Sequence, residues 1–440
     1  MPFHTFADEV GSIKRQYLDD NFAWLEDATG PNTFEDFGAV GNGIVDDTAA
    51  LQAAINYAIP RGIKISGKAG VIYAVSAISL TGYLGQTNPN IDFNGATVRS
   101  NGLSSAPLVT VLNCRGVQFG DVTLDGNWGL SQTTLLKIWA NTGASGCSYG
   151  RFDDIHFRNA QFAVQIGDPT RIDEPSVSEN TFIGCDCIGV LQPVVSYGVQ
   201  AENSSEGCIW TPNTSGWITY PASWQACAVH VYGGSFRVNG GECVAYASQG
   251  APGPNAIFIV EPVVSIPSGN LYGEIHATGA WFETDSPGGL ALNPTLIAPV
   301  AGGVISFLHC EGAELGDGDA YIDAVPDYPG DMRVIDCGFF AASTRTHPNI
   351  NGTAFSRIIA DSISFSPWVG LVSGTPGYLQ GPTAFTYGAG GTFIYNGQFF
   401  VNAAPAVGLG VNGDFCYRYV GMGALTTIYQ KRAGAWVGIV

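Results

Sequence analysis

Apolar and polar residues alternate with period two along much of the chain, and the alternation keeps returning in one plan. Segments beginning at Arg151, Ser178, Phe236, Glu274, Val304 and Met332 each carry an alternating strand and a small or polar corner. Each then has one small residue (Ala160, Cys185, Gly241, Ala280, Cys310 and Cys337 in turn), usually followed two positions on by another apolar side chain. A strand of this kind has a single apolar face and buries it by stacking on copies of itself. The starts lie roughly 25 to 60 residues apart, so loops are expected between coils. The largest is an insert at about 192–231 holding Trp210, Trp217, Tyr220 and Trp224. Helical patterns do not intervene, and the Asn-Gly and Asp-Gly hairpins of a β-sandwich are few. The pattern predicts parallel coils stacked into one long body.

One helix stands ahead of that body. In residues 37–55 an apolar strand reaches a corner at Gly41 and Gly43, and Asp46 or Asp47 is placed to cap a helix. Leu51, Ile55 and Ile59 then repeat down one side until Arg61-Gly62. An apolar-faced helix here would cover the open strand edges of the first coil. Residues 1–30 show loosely helical apolar spacing at Ile13, Tyr17, Phe22 and Leu25. After Ser366 a Gly/Pro-rich stretch leads to short aromatic strands. The expected organisation is therefore an N-terminal helical segment at 1–30, a stacked body at 31–366 and a small C-terminal β module at 367–440.

Gly41-Asn42-Gly43 followed by Asp46-Asp47-Thr48 resembles the opening signature of the pectate-lyase-like right-handed parallel β-helix family, where most members read Gly-Asp-Gly. Phage tailspikes and capsule depolymerases are numerous in that family. Ser66-Gly67 stands where it usually has a Pro-x-Gly turn, and 91–101 and 116–127 resemble its coils. The resemblance implies an all-β fold: a right-handed single-stranded parallel β-helix capped by an N-terminal helix, with a small C-terminal β domain. Residues 18–25 resemble the segment that precedes the β-helix in phage tail proteins. Residues 413–440 look like the C-terminal module that serves trimerisation or tip binding. Together these imply a homotrimeric virion tailspike held to the phage tail or baseplate through its N-terminus. Such a protein recognises and depolymerises a bacterial surface polysaccharide: capsule, exopolysaccharide or O-antigen. Lyases, hydrolases and esterases all use this fold, so no catalytic motif transfers and the chemistry must come from geometry.

Composition agrees with strands and turns: 59 of 440 residues are Gly. The net charge of −19, from 37 acidic and 18 basic residues, argues against a nucleic-acid partner and weakly against a polyanionic one, although a local basic cleft could override it. No apolar run approaches the roughly 18–20 residues that span a bilayer, and no signal peptide opens the chain. Synthesis in a host cytosol and transport by a particle are the expectation. Ten cysteines lack metal spacing and are expected to be reduced, buried small hydrophobes, and the six histidines are scattered. No metal and no cofactor is expected.

Coils stack about 4.8 Å apart, so outward side chains in one column form a ruler for paired carboxylates. Glycosidases need about 5–5.5 Å between two carboxylates to retain and about 6.5–9.5 Å to invert the anomeric centre. Aligning the repeats puts Gln161, Asp186, Glu242, Trp281, Glu311 and Gly338 in one column, with Glu283 two positions beyond Trp281. Glu283 and Glu311 are the expected acid/base pair, Glu242 the next candidate, and Trp281 the sugar platform. His309, Asp285 and Glu314 are neighbours suited to bind hydroxyls or shift a pKa. Hydrolysis is the leading expectation. A lyase would instead need a base and a cation, such as His276 or Tyr272 with Arg237 or Arg333. A glycan-binding protein that does not cut would use the same Trp-lined groove, and a trimer could combine Asp153 or Asp154 with another subunit. No GxSxG elbow exists, and 316–323 is a weak calcium candidate.

Overall fold

The computed structural model describes residues 30–82, 89–127, 134–141, 146–169, 177–198, 202–212, 227–244, 256–261, 273–283, 295–297, 303–315, 330–341, 350–352, 355–361, 364–366, 385–387, 392–395, 398–401, 405, 412, 415–420 and 424–439. The chain is a parallel β-solenoid that begins under one short helix and ends in a small antiparallel sheet. Long strands bend and pass from one face of the solenoid to the next. Arg151–Ile166 pairs in parallel with Gln118–Asp125 and Thr134–Trp139 on the preceding coil, and with Thr181–Ile183 and Asp186–Tyr197 on the following one. The bends fall where the backbone turns left-handed: Asp121, Asp154, Gly184, Gly207, Gly240, Gly279, His309 and Asp336 form one corner, coil after coil. Asp and Gly tolerate that region better than most residues, which is why small or polar residues recur there in the sequence.

Parallel pairing carries side-chain parity from coil to coil, with one-residue shifts between Gly312 and Leu315 and between Gly330 and Asp331, so one interior receives the inward residues. Phe93, Phe119, Phe152 and Phe182 stack through it, with ring centroids 5.4, 6.4 and 5.0 Å apart in order, and Trp210 meets Phe182 edge-on at 6.1 Å. Further along, Phe258, Phe282 and Phe307 repeat the arrangement at 5.4–5.8 Å. Burying a phenylalanine fully is worth about 1.5–3 kcal/mol, so this column is a principal source of cohesion between coils.

The helix, α1 (Thr48–Ala58), buries Leu51, Ala54, Ile55 and Ala58 on the first coil. A 3-10 turn, Ile59–Arg61, closes it at Gly62, which is left-handed at φ 62°. Asp47 stands at the N-cap position but makes no capping bond. Its buried carboxylate instead accepts the N–H groups of Val40 at 2.7 Å and Gly41 at 3.1 Å, tying the glycine corner to the helix start. Asp46 takes the turn role, accepting from the Thr48 N–H at 3.0 Å.

The register revises two features expected from the pattern. Ala160 pairs with Val190, so the residue that lines up with Cys185 is Ile155, and Gln161 does not belong to the outward column. The stretch at 192–231, expected as an inserted loop, contributes to a coil of its own. Within it Glu202–Glu206 pairs with Thr181–Ile183 on one side and with Gly234–Asn239 on the other. That coil brings Cys208 under Cys185, whose N–H points at the Cys208 sulfur at 3.4 Å, and the Cys310 N–H meets the Cys337 sulfur in the same way at 3.4 Å. All ten cysteines are free and buried.

Of the proposed segments, 1–29 and most of 367–391 lie outside the described residues, as do Tyr272 and 316–323. Parallel pairing continues through Phe355–Asp361 to Thr392–Tyr395, after which pairing becomes mainly antiparallel across Gln398–Val401, Phe415–Val420, Ala424–Arg432 and Ala435–Gly438. Among the described residues no helix is long and apolar enough to cross a membrane.

Candidate functional site

The site is built from three short strands that follow the corner on consecutive coils. Glu242–Val244 pairs with Trp281–Glu283, and that strand pairs with Glu311–Leu315. The register sets Glu242, Trp281, Glu311 and Gly338 in line, and puts Glu283 in the next column, between Val244 and Ala313. Cys243, Phe282 and Gly312 alternate with these residues and are buried, so the carboxylates and the indole share the outward face. Ile209 stands between Asp186 and Glu242 in the same column, on the coil that the sequence pattern did not reveal.

Parallel spacing and strand rise place Glu283 one coil and two residues from both Glu242 and Glu311, a Cβ separation of about 8 Å in each case. The two candidates for its partner differ in surroundings. Glu242 is half-buried, and Glu311 is exposed. Burial, with the charge of Glu283 adding to it, pushes the Glu242 carboxyl above its ordinary range. Trp281 is half-buried beside them and shows part of its ring to solvent.

His309 occupies the corner column at φ 52°, two residues before Glu311, with its Nδ1 2.8 Å from Asp336 Oδ2 on the next coil; both side chains are exposed. It therefore forms the rim of the face. Asp285 and the Glu314 side chain lie outside the described residues. Asp153 and Asp154 sit upstream of this face: Asp153 is bonded to Arg151 Nε at 2.6 Å and Asp154 holds a left-handed corner.

Further up the same column is a polar network that the sequence pattern did not single out. Asp186 is bound by Arg158 Nη1, and by His156 Nδ1 at 3.0 Å. Next to it, Asp125 is bound by Arg99 Nε at 3.0 Å and accepts from Asn159 Nδ2 at 2.9 Å. Asp125 is buried at the end of its strand and also forms the turn that follows, its Oδ1 accepting the Asn127 N–H at 2.9 Å. Carboxylates so occupied hold the face together and are poorly suited to move protons. The sequence pattern favours Glu283 with Glu311, and the register makes Glu242 an equal neighbour of Glu283 on the other side. Among the described residues no group of three or more side chains could hold a metal ion.

No protein-family model matches the chain, and no curated protein matches it. Solved structures do. The enzymatically active domain of bacteriophage CBA120 tailspike protein 2 is similar at a TM-score of 0.49 and 13% identity, covering 91% of this chain and 56% of that one. The tailspike of Escherichia coli bacteriophage HK620 in complex with a pentasaccharide is similar at a TM-score of 0.48 and 14% identity, covering 98% of this chain and 92% of that one. PfbA, a surface adhesin of Streptococcus pneumoniae, is similar at a TM-score of 0.45 and 10% identity, with 93% of this chain and 98% of that one covered.

Proposed function

We propose that this protein depolymerises a bacterial surface polysaccharide by glycosidic hydrolysis on the Glu242–Trp281–Glu283 face. In this reading Glu242 is the general acid that protonates the glycosidic oxygen, and Glu283 is the base that activates water. Trp281 stacks on the sugar ring, and Glu311 and His309 bind hydroxyls. The observation that carries it is the raised Glu242 carboxyl with a second carboxylate, Glu283, on the next coil of the same face. Environments that separate the protonation of two neighbouring acids are what acid/base hydrolysis needs. Their Cβ separation of about 8 Å leaves room for a water between base and sugar, the arrangement of an inverting mechanism. Attachment to a phage tail and homotrimerisation belong to the same reading and rest on the resemblances at 18–25 and 413–440.

The test is a panel of purified capsular and O-antigen polysaccharides incubated with the full chain, reading reducing ends and product mass. Products heavier by one water per cut are expected. Products that lack the added water and show the absorbance of an unsaturated uronate would move the reaction to elimination. Binding without any cleavage in wild type would leave a receptor-binding protein.

A further inference from the structure

Around the corner from the carboxylate face, the strands that precede it carry a second polar run. Register places Ser204, Arg237, His276, Ser306 and Arg333 in one column over consecutive coils. Phe236 and Val238, Ile275 and Ala277, and Ile305 and Phe307 flank these residues and are buried, so the column faces outward. It contains no acid, in a chain of net charge −19.

The column has relief. Ser306 is only 6% exposed although its side chain points out, because it lies low between His276 on one coil and Arg333 on the other. His276 and Arg333 are two coils, about 10 Å, apart, and the notch between them is floored by a hydroxyl. Arg333 is exposed, and neither it nor Arg237 forms an ion pair among the described residues. The neighbouring column holds two acids, Glu274 and, on the strand of Arg333 two residues before it, Asp331. Glu274 is engaged by His276 Nε2 at 3.1 Å, and that bond, with the charge of Arg237, holds its carboxyl below the ordinary range.

We infer that this notch binds a carboxylate of an acidic polysaccharide, as a second glycan contact separate from the carboxylate face. Arg333 offers a planar fork that takes a carboxylate through two parallel hydrogen bonds. The Ser306 hydroxyl donates from the floor, and Arg237, three coils or about 14 Å from Arg333, meets another negative group further along the same chain. Two guanidinium groups at that spacing match a sparsely charged sugar polymer. They fall short of the dense cationic surface that a nucleic acid requires. The inference does not depend on hydrolysis at Glu242, and its test reads binding alone.

Full-length protein is titrated with fluorescently labelled oligogalacturonate, with the methyl-esterified oligomer and with a single-stranded oligonucleotide of equal charge. Oligogalacturonate should bind, the ester should not, and Arg333→Gln should weaken binding by about tenfold, the usual effect of losing a charge-assisted pair. Lys68→Gln, the same charge change at an exposed position on the first coil, should bind like wild type. The inference is overturned if oligogalacturonate fails to bind, or if the ester or the oligonucleotide binds equally well. A loss with Lys68→Gln equal to that with Arg333→Gln overturns it too.

Discussion

Replacing Glu242 by Gln is the most informative perturbation of the carboxylate face. The side chain keeps its size and half-buried position and loses the proton it would deliver. One coil of about 4.8 Å and two residues of about 3.3 Å each give a Cβ diagonal of about 8 Å to Glu283, from which the two side chains can set their carboxyl groups within the window of about 6.5–9.5 Å for inverting enzymes. Removing a positioned general acid lowers turnover by about 10²- to 10⁴-fold, or ~2.7–5.4 kcal/mol of barrier at 1.36 kcal/mol per tenfold. The pH profile carries the sign. Glu242 acts protonated and its pKa is raised by burial and by Glu283, so activity is lost as pH rises through that raised value. Initial rates of reducing-end release against pH should show this alkaline limb in wild type and not in the residual activity of Glu242→Gln. Glu283→Gln removes the neighbouring charge, so the Glu242 carboxyl, followed by NMR titration, should move down. Wild-type turnover in Glu242→Gln, or a Glu242 titration that ignores Glu283→Gln, would refute the reasoning.

Trp281→Ala should weaken glycan binding by about tenfold through loss of the stacking surface while the circular dichroism spectrum stays unchanged. Gly241 is left-handed at φ 77° and a Cβ there would overlap the Cys208 carbonyl oxygen, so Gly241→Ala should cost at least ~1–2 kcal/mol and lower the unfolding midpoint. Phe182→Ala, which empties a stack between Phe152 and Trp210, should cost about 3–5 kcal/mol in denaturant titration, with coil-to-coil cohesion failing first nearby. All ten thiols are buried, so a thiol reagent should be silent on the native protein and react with every cysteine in denaturant; rapid native labelling would contradict the interior placement.

Much of the solenoid was legible because each inward position repeats its chemistry on every coil. The alternation in 274–283, 304–311 and 332–337 correctly aligned Gly241, Ala280, Cys310 and Cys337, and through them Glu242, Trp281 and Glu311. The alignment slipped at Ala160 because the strand Arg151–Ile166 turns left-handed twice, at Asp154 and again at Asn159, and Ala160 follows the second corner as Cys185 follows Gly184. It also passed over the coil at 202–210, whose inward residues Asn203, Ser205 and Cys208 are small or polar and resemble a loop. Asp47 was readable as important to the helix start, but not as the acceptor for Val40 and Gly41, since a cap and a staple use the same residue at the same place.

The amino-acid order on its own determined that strands stack in parallel under a helical lid, because period-two apolar faces and left-handed corners are local and repeated. It also determined which side chains face out, since parity does not depend on register. Which carboxylates become neighbours was decided only in three dimensions. Glu242, Glu283 and Glu311 are separated by tens of residues of variable loop, and a register slip of two residues, about 6.6 Å along the strand, keeps the face and changes which carboxylates meet. The same holds for the protonation of Glu242, which follows from what covers it and from the charge one coil away rather than from any residue beside it in the chain.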